Sequence, residues 1–310
     1  MQGWDLKTPV VFIIFNRPEA TATVFEEIRR AKPPKLMVIA DGPRPDRPGE
    51  VEKCAAARAV IDRVDWPCEV FTNYSDVNLG CKHRVSSGLN WVFDVVEEAI
   101  ILEDDCVPHP TFFRFCEELL ERYRDDKRVM VISGNNFQFG RKRTGYSYYF
   151  SRYNHVWGWA SWRWAWRHYD VDMKLWPEIR DGKWLSDLHS DDDSVHYWTT
   201  VFEKVYRGEI DTWDYQWTFA CWVQSGLSIL PSVNLVSNIG FGHEATHTKG
   251  ESRFANMKTE AMNFPLAHSP LVVRDSIADS FTERNIFLPR TTFSLRVING
   301  IRGAVDMVRR

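Results

Sequence analysis

The sequence predicts an α/β fold: a mostly parallel sheet flanked by helices, with an aromatic-rich second half built onto one sheet edge. Three observations predict it. Strand-like and helix-like segments alternate four times with short connections, the pattern of parallel strands joined by crossover helices. The first and fourth strand-like runs are continuous apolar stretches, as expected of buried strands. Each run stops at polar or turn-forming residues, and ligands of such sheets bind beyond the carboxyl ends of the strands.

Residues 8–18, TPVVFIIFNRP, read as a buried strand that stops at Asn-Arg-Pro. Pro18 suits the first position of the helix EATATVFEEIRRA that follows, because its fixed φ is helical and its missing N–H is not needed there. KLMVIADGPRP, residues 35–45, is a second strand ended by Asp-Gly-Pro turn chemistry, with a helix over 49–64. CEVFTNY (68–74) and the helical CKHRVSSGLNWVFDVVE (81–97) form the third round. AIILEDD (99–105) and a helix over 111–126 form the fourth, and RVMVIS (128–133) is a further strand. Beyond about residue 139 the alternation gives way to GRKRTGYSYYFSRYNHVWGWASWRWAWRHYD (140–170). Helices are expected over 194–208 and 213–226, with short strands at 227–231 and 234–238. Trp159, Trp162 and Trp166 stand at helical spacing and predict a core-facing helical stripe. Trp157 and Gly158 precede it and suit the floor under a sugar.

A formal net charge of -3 gives no electrostatic footprint for nucleic acid. Six cysteines without CxxC spacing, in a chain of 310 residues, read as reduced thiols and suggest a cytoplasmic protein. The N-terminal segment lacks a basic export signal, and its apolar run is shorter than the roughly 20 residues that span a bilayer. The last 20 residues, 291–310, are amphipathic with interspersed arginines. They predict a docking helix or a peripheral contact with the inner face of a membrane.

Glu103, Asp104 and Asp105 end a strand that should be central. Adjacent carboxylates there would raise one another's pKa unless a cation neutralised them. All-oxygen ligands suit Mg²⁺ or Mn²⁺, which share their coordination with substrate phosphates. The bland alternative is a solvated strand end whose acids favour the start of the next helix.

The segment ILEDDCVPHPTFFRFCEELL resembles the metal and nucleotide motif of GT-A glycosyltransferases, N-acetylglucosaminyltransferase I and related bacterial enzymes among them. FNRPE, ADGPR and NLGCKHR resemble, in order, that family's first-strand arginine motif, second-strand acidic motif and basic segment. The resemblance covers about residues 9–135. It implies a GT-A, Rossmann-like domain with a nucleotide-sugar-binding half at 1–138, an acceptor-side half at 139–290 and a tail at 291–310. It also implies that Arg17 contacts the nucleotide, that Asp41 bonds its base or ribose, and that His83 or Arg84 lines the same pocket. Asp105 would bind Mn²⁺ or Mg²⁺, with Glu103 and Asp104 orienting metal, ribose or sugar. The donor would be a nucleotide-diphosphate sugar, by resemblance a UDP-sugar, and the acceptor a glycan, a lipid-linked sugar or another hydroxyl compound.

TWDYQWTFACW (212–222) resembles the segment from which inverting members supply a catalytic base. Asp214 is the candidate, with Asp211 as the alternative and a helix N-cap as its structural reading. In GFGHEATHT (240–248), His247 or His243 would complete the metal site or touch the diphosphate. The HEATH spacing also matches HExxH, but flanking Gly and Thr residues predict a loop rather than the helix a zinc protease requires. Two competing functions share these residues: a glycoside hydrolase using paired carboxylates, and a lectin-like module with stacking tryptophans and structural Ca²⁺.

Overall fold

A computed structural model describes residues 4–241 and 253–288. The first half runs β1 (Val10–Ile14), α1 (Pro18–Ala31), β2 (Lys35–Ala40), α2 (Glu50–Ala59), β3 (Glu69–Tyr74), α3 (Gly80–Val95) and β4 (Glu98–Glu103). A short β5 (Cys106–Pro108), α4 (Thr111–Tyr123) and β6 (Val129–Ser133) follow. The second half comprises β7 (Tyr148–Ser151), β8 (Trp159–Trp162), α5 (Arg163–Trp166), α6 (Trp176–Asp181), α7 (Leu185–Leu188), α8 (Asp192–Tyr206) and α9 (Asp214–Val223). It ends with β9 (Leu227–Pro231), β10 (Val236–Asn238) and α10 (Ser276–Thr282).

Eight strands form one sheet in the order β3-β2-β1-β4-β8-β6-β9-β7, and β10 pairs with β5 in a separate ribbon. β1 is parallel to β2 and β4, β2 to β3 and β6 to β9, whereas β8 and β7 run against their neighbours. The fold is therefore α/β, with a mostly parallel sheet, and its β3-β2-β1-β4 portion is Rossmann-like as expected. From β1 the chain winds outward to β2 and β3, then crosses back to β4 on the other side. That reversal opens a crevice at the carboxyl ends of β1 and β4, where open α/β sheets bind their ligands.

Successive strand residues point to opposite faces, so each buried strand feeds two cores. Val10, Phe12, Ile14, Leu36 and Val38 pack with Val24 and Phe25 of α1 and Phe112 and Leu119 of α4. Val11, Ile13, Met37 and Ile39 pack on the other side with Val85 and Leu89 of α3, Trp198 of α8 and Trp217 of α9. Most tryptophans serve these cores: Trp159, Trp162, Trp176, Trp198 and Trp217 are fully buried.

One element differs from its expected form. The 159–162 segment is a strand rather than a helix, because it fills the gap between β4 and β6 and pairs antiparallel with both. Its tryptophans are core residues as expected, yet strand periodicity sends Trp159 to one face and Trp162 to the other. Only α5, a single turn, continues into the expected helix. Among the described residues no helix is long and apolar enough to cross a membrane. The 291–310 tail, His243 and His247 lie outside the described residues.

Candidate functional site

A cavity of about 390 Å³ opens over the ends of β1, β2 and β4. Its wall includes Arg17, Asp41, Arg84, Glu103, Asp104 and Asp105, which the sequence places at strand ends or in the basic segment, together with Asp211. His83 is exposed and absent from that wall. Arg84 is buried, and its Nη2 donates to the carbonyl and the side-chain oxygen of Asn73 at 2.8 and 2.7 Å.

Arg17 sits at the N-cap position of α1, ahead of Pro18, and so points from the end of β1 toward the end of β4. Its Nη1 donates to Asp105 Oδ2 at 2.9 Å and its Nη2 to Asp104 Oδ1. The Phe15 backbone N–H adds a 3.3 Å bond to Asp104 Oδ2. Burial pushes the Asp104 pKa up and the Arg17 guanidinium pulls it back. Half-buried Glu103 has no such ion-pair partner among the described residues. Burial first, then the charges of Asp105 and Asp104, raise its pKa well above the ordinary carboxylate value. The repulsion evident in the sequence is thus relieved in part by a guanidinium.

Gly240 closes over this pair. A Cβ there would lie 2.0 Å from Asp105 Oδ2 and 2.8 Å from Arg17 Nη1, so any larger residue would disturb both. Asn238 of β10 reaches the other carboxylate oxygen, with Nδ2 3.3 Å from Oδ1.

Among the described residues, no three carboxylate, imidazole or thiolate groups form a ready metal cage. A cation shared with phosphates needs only one or two protein carboxylates, and the donor set here is all hard oxygen. Five carboxyl groups (Asp41, Glu103, Asp104, Asp105, Asp211) face three guanidinium groups (Arg17, Arg44, Arg84) on the wall. Oxygen donors of this kind are compatible with a divalent cation shared with an anionic ligand.

Asp41 is committed to its own loop. Its Oδ1 accepts from Gly42 N and Leu79 N at 2.9 Å each, and its Oδ2 from Asn78 Nδ2 at 3.0 Å and Gly80 N at 3.1 Å. These bonds fill the roughly four acceptor sites of a carboxylate and fix the start of α3 against the end of β2. Burial raises its pKa and the backbone donors oppose that rise. Asp211 holds the same helix start from the second half, accepting from Cys81 N and Lys82 N at 3.3 and 3.1 Å.

Asp214 is the first residue of α9, and Trp213 holds the N-cap position. Its Oδ1 accepts from the Thr212 hydroxyl and from Tyr215 N. The half-buried carboxylate faces a second cavity, of about 180 Å³, lined also by Phe137, Asn154, His155, Trp198 and Phe287. Trp157 lines both cavities, so the two adjoin at its ring. Cys81 sits within electrostatic reach of Glu103, Asp214, Asp211 and Asp41, and burial is the main cause of a raised thiol pKa that keeps it protonated. Trp157 was legible from the sequence as a candidate floor. Arg44, Asn78, Cys81, Asn238 and Gly240 lie in or at the edge of the segments ADGPR, NLGCKHR, NLVSN and GFGHEATHT, but the sequence did not single them out within those segments.

No protein-family model and no curated protein matches the chain. Among solved structures, it is similar to galactosyltransferase LgtC in complex with donor and acceptor sugar analogs, at 12% identity over 69% of this chain and 70% of that one, with a TM-score of 0.35. An active-site mutant of LgtC is 14% identical over 56% and 64% of the two chains, with a TM-score of 0.33. UDP-glucose pyrophosphorylase complexed with UDP-glucose is 9% identical over 43% and 64%, with a TM-score of 0.25. The chain therefore spans less than two thirds of the pyrophosphorylase and of the LgtC mutant.

Proposed function

We propose that the chain is a glycosyltransferase that moves a sugar from a nucleotide-diphosphate donor, by resemblance a UDP-sugar, to an acceptor hydroxyl with inversion. One observation carries this reading: the cavity at the β1/β4 crevice, walled by guanidinium groups and an acidic strand tip, meets across Trp157 a second cavity bearing a carboxylate. A hydrolase has no use for the first cavity, and a lectin has no use for the second carboxylate.

In this reading the donor occupies the larger cavity, with its diphosphate facing Arg17, Arg44 and Arg84. Asp105, with Glu103 or Asp104, would hold Mn²⁺ or Mg²⁺ shared with the diphosphate, and the bound ion would offset charge developing on the departing nucleotide. The acceptor lies on the far side of Trp157. Asp214 takes the proton of its hydroxyl as that oxygen attacks the anomeric carbon. Asp211 is the weaker candidate for base, since both its oxygens already hold the start of α3.

A panel of sugar nucleotides incubated with the protein, Mn²⁺ and simple acceptors tests the reading. Turnover of at least one donor, abolished in Asp105→Ala, is expected. Cleavage of aryl glycosides without any nucleotide requirement would point to the hydrolase instead.

A further inference from the structure

We infer that the second cavity seats a single neutral pyranose ring and discriminates against acidic sugars. Only the naming of that sugar as the acceptor rests on the glycosyltransferase reading. The cavity, about 180 Å³, has less than half the volume of the first one and so suits a single ring rather than a nucleotide-sugar. Its walls are aromatic: the Trp157 ring stands edge-on to Phe137 at 5.3 Å, and Trp198 and Phe287 pack at 4.8 Å with their planes tilted by 58°. Flat apolar walls suit the faces of a pyranose, whose rim is hydroxyl.

Three residues of the same wall carry polar side-chain atoms that are buried and without a hydrogen-bond partner. Asn154 Oδ1 accepts the Thr218 hydroxyl at 2.7 Å, which fixes the amide and leaves its Nδ2 buried without a partner. Trp198 Nε1 and His155 Nε2 are likewise buried and unpaired. Burial pushes the His155 pKa down to about 3, so its ring is neutral. Buried unpaired groups of this kind are costly unless a ligand pairs them, and sugar hydroxyls both donate and accept. Among the described residues, Asp214 is the sole charged group on the wall, with no Lys or Arg. A uronic acid or phosphorylated sugar would meet like charge without compensation.

The test is saturation-transfer NMR and tryptophan fluorescence on the full chain, titrated with a methyl glucopyranoside and with the matching methyl glucuronide. The neutral glycoside should bind at least about tenfold more tightly than the glucuronide. Asn154→Asp keeps shape and the Thr218 bond but loses the donor, and should weaken neutral binding about tenfold. Equal binding of glucuronide, or no binding of the neutral glycoside, overturns the inference, as does an unaffected N154D. UDP titrated into the same samples reports on the donor cavity separately. Neutral-sugar binding without UDP binding would sink the donor assignment while supporting this one.

Discussion

Arg17 holds two carboxylates at once, and its removal would leave Asp104 and Asp105 without their guanidinium. Arg17→Ala should lower stability by as much as about 3 kcal/mol, the low end for breaking a buried pair, since the arginine side chain is 21% exposed. Mn²⁺ should then raise the Tm of R17A more than that of the wild type, because the ion replaces the lost charge at the acids. Thermal denaturation with titrated Mn²⁺ checks both statements, and equal shifts in the two proteins would argue against a cation at Asp105. Asp214→Asn should cut transfer by about 10²–10⁴-fold. Its affinity for UDP, measured by calorimetry, should stay within about twofold, since the carboxylate faces the other cavity. At this scale the sequence was informative where chemistry coincides with a strand end, as at Arg17 and Asp105. It read Gly240 only as part of a flexible glycine loop and did not mark Asn154, because the importance of both comes from contacts across more than 60 positions.

The loops after β1 and β2 are tied to α2 by one carboxylate. Glu50 accepts from Asn16 Nδ2 at 2.8 Å and Arg44 N at 2.6 Å, and it pairs with the Arg44 guanidinium. Burial alone would raise its pKa, but these donors prevail and hold it at about 2. A carboxyl lowered on folding contributes stability that is complete above its ordinary pKa and fades as pH falls toward the folded value. Glu50→Gln should therefore be less stable than wild type at about pH 6, and that gap should narrow below about pH 4.5. Denaturation across that range checks it; a gap that widens with acid would contradict the assignment. Element type was legible where period and punctuation agreed, as in β1, β2, β4 and α1. It failed at β8, whose Trp-rich run carries helical spacing while two flanking strands demand hydrogen bonds from it.

At the scale of the molecule, strands from both halves share one sheet, so the two cavities are set by a common scaffold. The crevice follows from the reversal of winding between β1 and β4, and alternation of strands and helices made that half readable in advance. The second half was less readable because its strands, β7 and β8, run antiparallel to their neighbours and are joined by the short aromatic segment 152–158 rather than a crossover helix. The central claim is that a nucleoside diphosphate binds where β1 and β4 end. A crystal structure of the protein soaked with UDP and Mn²⁺ measures this most directly. The diphosphate is expected in the larger cavity, within reach of Arg17, with the ion on Asp105; nucleotide bound elsewhere, or a cavity without nucleotide at saturating UDP, would contradict that placement.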